Sequence, residues 1–308
     1  MLKVVAAVMT GWLGLCLLAI GQSQAATPLR IAHTCWSSSV ASANLMCVLV
    51  REKLGQPCQL QAVDAEGMWR SVAEGEADVM LSAWLPDTHA HYLQQFGDRL
   101  EDLGPNLEGT RTGLVVPAVR VGRQTGGMGM RNPDYITAES IADLAGHAAR
   151  FNRRIIGIDA GAGVMRETRE ALEAYGLDDF RLIEGSEQSM TRALSHAIQR
   201  QEWIVVTGWV PHWMFDRWSL RFLEDPKAIY GDAGRIHTLA RPGLKAEQPR
   251  VHTLLDRFHW SPADMDRLLI WIHQDHGLDP YGKAERWVRT NPATVEQWRS
   301  EERRVGKE

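Results

Sequence analysis

Short apolar runs alternate with helical patterns along most of this chain, and that alternation limits the folds open to it more than any other feature. LRIAH (29–33) reads as a strand, and SVASANLMCVLVREKLG (39–55) as a helix opened by serines and stopped by Gly55. CQLQAV (58–63) alternates like a strand, MWRSVAEGEAD (68–78) reads as a helix, and VMLSAWLP (79–86) is a strand ended by Pro86. Strand and helix in strict turn predict an α/β layer structure with a mainly parallel sheet flanked by helices.

The texture changes at GTRTGLVVPAV (109–119), and a Gly- and Met-rich stretch, QTGGMGMRNPD (124–134), follows. A new alternation then begins: a helix over SIADLAGHAAR (140–150), a buried strand over RRIIGID (153–159), and a helix in AGAGVMRETREALEAYGL (160–177). FRLIEG and WIVVTGW read as further strands with SMTRALSHAIQR as the helix between them, and IHTLARPG (236–243) reads as a return crossing. The expectation is two lobes, one built from 26–116 plus 237–298 and the other from 117–236, joined by two crossover segments. Such molecules close like a jaw on a ligand held between the lobes.

The two ends are set aside. Residues 1–25 carry an early Lys3, an apolar run from Val4 to Ile20 and a small-residue exit at Ser23-Gln24-Ala25, the form of a cleaved secretory signal peptide. Export to the periplasm is therefore expected. An uncleaved anchor and a lipoprotein at Cys16 fit the pattern less well, the latter because Leu15 is large. The last ten residues, RSEERRVGKE (299–308), match the translation of a sequencing adapter and are expected not to be native. The formal net charge of −4 and the lack of a basic stripe speak against nucleic acid as a partner. After the signal three cysteines remain, Cys35, Cys47 and Cys58, and sequence does not choose which two would pair.

Aromatic usage is unusual. The chain has 12 Trp against 6 Phe and 5 Tyr, and WIVVTGWVPHWMFDRW (203–218) alone holds four of the indoles. Indole presents an electron-rich face, the best side-chain surface for a cation that has no hydrogen to donate, such as a quaternary ammonium. Trp36, Trp84 and Trp209 each fall at or just after the end of a strand, where open α/β sheets bind ligands. The alternative for these three is capping of the core. Trp203, Trp213, Trp218, Trp260, Trp271, Trp287 and Trp298 are expected to pack, the first three of them around Trp209.

IIGIDAGAGVM runs from a buried strand through glycines into a helix, so the backbone N–H groups of Gly163 and Val164 form a candidate anion site. The same string resembles a phosphate loop of actin-like sugar kinases, a reading that needs a second such loop. His89 follows Trp84 by five residues and is a candidate donor to a ligand anion. His89 with His91, and His273 with His276, are weak metal pairs without a third ligand, and no cofactor is expected. No nucleophile motif marks an enzyme.

Together, MWRSVAEGEADVMLSAWLPDTHAHY, GLVVP, IIGIDAGAGVM, VVTGWVPHWMF and DPKAIYG resemble the glycine betaine-type substrate-binding proteins of ABC importers, in consistent order over most of 30–298. The resemblance implies a two-lobed periplasmic-binding-protein fold with a tryptophan cage of Trp36, Trp84 and Trp209 for the trimethylammonium group. It places the ligand's carboxylate on the N–H groups of Gly163 and Val164, with His89 helping. It implies a monomer without catalytic activity whose partners are a quaternary ammonium ligand and a membrane permease. Choline, carnitine or proline betaine, and a sensor role, are the neighbouring alternatives. A periplasmic enzyme acting on such a cation is the rival of another class.

Overall fold

The structure is a computed structural model that describes residues 27–118 and 135–299. The expected signal peptide, the Gly- and Met-rich stretch at 124–134 and all but Arg299 of the suspect tail lie outside the described residues.

The first half of the chain builds strands β1 (Leu29–His33), β2 (Cys58–Ala62) and β3 (Val79–Leu85), with helices α1 (Ser37–Leu54), α2 (Ala65–Ala73) and α3 (Ala90–Phe96) between and after them. Strand β4 (Glu101–Pro117) crosses to the second half, which holds α4 (Leu144–His147), β5 (Arg154–Ile156), α5 (Gly163–Ala174), β6 (Arg181–Ile183), α6 (Glu187–Arg200), β7 (Val206–Val210), α7 (Met214–Arg217) and β8 (Leu220–Phe222). Strand β9 (Gly234–Ala240) returns the chain to the first half, and helices α8 (Leu244–Glu247), α9 (Pro249–Arg257), α10 (Pro262–Gln274), α11 (Pro280–Thr290) and α12 (Pro292–Arg299) finish it.

The strands run β2-β1-β3-β9-β4-β7-β5-β6, with β8 also paired to β4. Within the βαβ units pairing is parallel, β1 with β2 and β3, and β5 with β6 and β7. Among the described residues every antiparallel pair involves a crossing strand, β4 or β9. This is the mixed α/β, mainly parallel architecture that the alternation predicted. β4 pairs with β9 from Glu101 to Thr110 and with β7 from Arg111 to Val115, so it changes partners at Thr110–Arg111. The boundaries read from sequence, 116/117 and 236/237, fall inside β4 and β9, because a strand that runs on through both halves carries no turn signal. The front of β4 escapes a sequence reading for a related reason: Gly104 and Pro105 interrupt it, at two of its register shifts.

Helix α1 is buried along most of its length, from Ser38 to Val50, and packs between the sheet and the C-terminal helices α10 and α11. Its Cys47 forms a disulfide with Cys58 of β2, with Cα atoms 5.5 Å apart, which leaves Cys35 free and exposed. Trp260, Trp287 and Trp298 fill a separate aromatic cluster with Phe258, Trp287 and Trp298 being stacked at 5.7 Å. These rings pack, as expected. Trp203 differs: it lies against Phe151 and His147 rather than around Trp209, because residues 203–205 precede β7 instead of extending it. The expected helix at 140–150 shrinks to one turn, α4, between other turns.

Candidate functional site

Trp36 stands between β1 and α1 as the N-cap of the helix, with φ −68° and ψ 139°. Trp84 is in β3, and the turn that follows brings Thr88 and His89 back beside it: the His89 N–H donates to the Trp84 carbonyl at 2.8 Å. On the other half, Trp209 of β7 sits opposite Thr112 of β4 in register. Ile158 and Ala162 flank the glycine turn from β5 into α5, whose first two residues are Gly163 and Val164.

All six residues singled out from sequence, Trp36, Trp84, His89, Gly163, Val164 and Trp209, line one small cavity. Thr88, Thr112, Ile158 and Ala162 complete its wall, and sequence reasoning had named none of these four. Each is a small or apolar residue on a turn or strand, and only the register of β4 and the path of two turns bring them in. The three indoles are buried, 4–7% exposed, so little of their surface meets solvent.

The polar groups of the cavity have defined roles. The backbone N–H of Trp84 donates to Nδ1 of His89 at 3.1 Å, so Nδ1 is an acceptor and the ring's proton resides on Nε2. Burial, then repulsion from His91 and Arg166, lowers the His89 pKa to about 3, so the ring is neutral at physiological pH. Trp69, fully buried on α2, meets this ring edge-on at 5.9 Å and stacks on Tyr92, which fixes the imidazole from behind. A helical apolar position such as Trp69 gives no sequence sign of that task. At the start of α5 the N-cap is Ala162, which has no side chain to accept a hydrogen bond, so the leading N–H groups are left for another acceptor. Together these are a neutral donor and an uncapped helix start beside three ring faces.

The two halves are closed on this cavity. Nε1 of Trp36 donates to Asp159 Oδ2 across the cleft at 2.7 Å, and the Tyr92 hydroxyl donates to the Gly161 carbonyl at 2.9 Å. The Arg166 guanidinium donates to the Asp87 carbonyl at 2.9 Å. Gly163 comes so near the first half that a Cβ there would sit 2.2 Å from the Thr88 carbonyl oxygen. Only glycine allows that approach.

Comparison with known proteins gives the family. The family model OpuAC, the substrate binding domain of ABC-type glycine betaine transport system, matches residues 27–290. The chain belongs to this family. Among solved structures, lactococcal OpuAC in its closed-liganded conformation with glycine betaine is similar, at 36% identity and a TM-score of 0.79, over 89% of this chain and 100% of that one. The glycine/betaine/L-proline-binding protein ProX from Borrelia burgdorferi is similar at 33% identity and a TM-score of 0.81, over 89% and 97%. The glycine betaine/carnitine transport binding protein GbuC of Listeria monocytogenes is 43% identical over 151 residues, 48% of this chain and 50% of that protein. The chain thus spans about half the length of that relative. Membership makes the α/β architecture that of a substrate-binding domain, and no helix among the described residues is long and apolar enough to cross a membrane.

Proposed function

We propose that this protein captures glycine betaine, or a close quaternary ammonium relative, and delivers it to the permease of an ABC importer without chemical change. The observation that carries the reading is the convergence of three indoles from both halves, a neutral histidine and an uncapped helix start on one cavity. The trimethylammonium group sits among Trp36, Trp84 and Trp209. Each ring face contributes ~0.5–2 kcal/mol, beside the burial of the methyl groups. Micromolar affinity needs about 8 kcal/mol, so the rest comes from the other end of the ligand. There the N–H groups of Gly163 and Val164 and Nε2–H of His89 receive the carboxylate, aided by the positive end of α5.

The halves divide where β4 changes partners and where β9 begins, and these two strands form the hinge between lobes. Ligand bound between them stabilises the closed form, which the permease recognises. The protein acts as a monomer in the periplasm, exported by the segment 1–25. Membership of a family of substrate-binding domains supports transport over catalysis.

Calorimetry of the purified protein with glycine betaine, proline betaine, carnitine and choline tests the reading. Glycine betaine is expected to bind with micromolar or tighter affinity. Choline, which lacks the carboxylate, is expected to bind at least tenfold more weakly. Choline binding as tightly as betaine would remove the anion role of Gly163, Val164 and His89, and turnover of any of these compounds would overturn transport.

A further inference from the structure

Helix α1 begins with the same deficiency as α5. Its N-cap is Trp36, which provides no side-chain acceptor, and its first turn holds no acidic residue. The helix nevertheless does not leave its first N–H unpaired. Oε2 of Glu187, from α6 of the opposite lobe, accepts the Ser37 N–H at 2.8 Å. The other oxygen, Oε1, lies 3.3 Å from Nε1 of Trp213 and 3.1 Å from Nε2 of His212, the last at an ion-pair distance rather than a well-aligned hydrogen bond. Nδ1 of His212 accepts the Met214 N–H at 3.0 Å, so the proton on Nε2 faces the carboxylate. His212 in turn meets the Trp209 ring edge-on at 4.7 Å, and Trp213 stacks at 3.5 Å on His273 of α10 in the first lobe.

We propose that Glu187 is a positioning residue that caps α1 from across the cleft, and that this bond holds the lobes shut and sets Trp36 and Trp209 at their working separation. The inference rests on the betaine-binding reading and specifies what keeps the site closed. One carboxylate touches the residue next to Trp36 on one lobe and the pair of rings behind Trp209 on the other, so it links two walls of the cage. The first-turn N–H groups of α1 carry the positive end of an 18-residue helix, which favours an anionic cap. When the lobes part, Ser37 loses its acceptor while His212 and Trp213 stay with Glu187 on their own lobe. The bond is therefore present only in the closed form and acts on release of ligand more than on its entry. Each helix start in the cleft is completed from elsewhere: α5 by the ligand's carboxylate, α1 by the facing lobe.

Stopped-flow binding of glycine betaine to wild type and three variants tests this. Ser37→Pro removes the N–H together with the hydroxyl, and Ser37→Ala removes the hydroxyl alone; proline is accepted at the first helical position, and Trp36 already has the extended ψ that a residue before proline needs. Ser37→Pro is expected to release betaine about tenfold faster or more, with an association rate within twofold of wild type. Ser37→Ala keeps the N–H and is expected to behave as wild type. Glu187→Ala, which also frees His212 and Trp213, is expected to release betaine at least as fast as Ser37→Pro, and the ligand-free melting temperature of Ser37→Pro is expected to stay within about 2 °C of wild type. Release from Ser37→Pro at the wild-type rate, or an affinity loss carried by slower association, overturns the cap. Equal acceleration in Ser37→Ala also overturns it. Wild type that takes up no quaternary ammonium overturns the functional reading, and the cap with it; wild type that binds normally while Ser37→Pro is unaffected overturns the cap alone.

Discussion

Replacing Gly163 with alanine separates binding from folding more cleanly than any change to the cage. Gly163 is the first residue of α5, has no requirement for a left-handed backbone, and would gain helix propensity of up to about 1 kcal/mol as alanine. Within its own lobe the substitution is benign. Across the cleft it is not: the added Cβ would lie 2.2 Å from the Thr88 carbonyl oxygen, 2.5 Å from its Cγ2 and 2.8 Å from its carbonyl carbon. Backbone atoms cannot swing aside as a flexible side chain does, so relief requires the lobes to part by about 1 Å. That opens the cavity where His89 and the N–H of Val164 are to meet the carboxylate. Overpacking of this kind costs about 1–3 kcal/mol, and here the cost falls on the closed state alone. Betaine affinity is expected to fall roughly 5- to 150-fold at 1.4 kcal/mol per tenfold. The melting temperature without ligand is expected to hold or rise slightly. Calorimetry for the affinity and a thermal melt with and without betaine supply both numbers. Wild-type affinity in Gly163→Ala would show that the lobes do not close on Gly163 in the bound state. A lower ligand-free melting temperature would show that the glycine serves the fold of its own lobe.

Three further outcomes are expected. Trp209→Ala and Trp84→Ala each weaken betaine binding by about tenfold or more, from the lost ring face and the lost methyl burial, while circular dichroism of the ligand-free protein stays unchanged; retained affinity in both removes the cage. Glu167 lies behind the cavity wall, accepts from Thr112 at 2.8 Å and is raised by burial to about 7. The folded state therefore holds a proton that the unfolded chain gives up near 4.5, and stability falls as pH rises from about 4.5 to 7; Glu167→Gln flattens that slope in melting curves taken across the range. Reduction of Cys47–Cys58, which closes an 11-residue separation, lowers stability by about 3 kcal/mol in urea titrations, and alkylation without reductant labels Cys35 but neither of the paired cysteines.

The six cavity residues named from sequence were legible because their chemistry is conspicuous at strand ends. An indole where a strand stops, or a glycine turn leading into a helix, has few purely structural uses in such number. Thr112 was not legible, since a threonine in an apolar strand shows its facing only through the register with β7. The tasks of Trp69 and Glu187 were hidden for another reason. One looks like any core residue of a helix, and the other like any exposed first-turn acid, and the contacts that define them join positions far apart in sequence. Local pattern also misjudged extent. SIADLAGHAAR has helical spacing but folds mostly as turns, and the front of β4 forms despite Gly104 and Pro105 because β9 pairs along it. Helix α2 begins three residues ahead of the sequence estimate, where Asp64 caps it by accepting the Gly67 N–H.

The central claim is that positive charge on a methylated nitrogen is recognised by the faces of three indoles. Glycine betaine and 3,3-dimethylbutanoate have the same shape and the same carboxylate, and differ by nitrogen against carbon at the branching atom. Titration of the wild-type protein with both compounds in one buffer isolates that difference. Tight betaine binding is expected, with an affinity for the carbon analogue lower by at least about tenfold, from ~0.5–2 kcal/mol at each ring. Equal affinity for the two would mean that the cavity selects shape alone and that the cage does not act on charge.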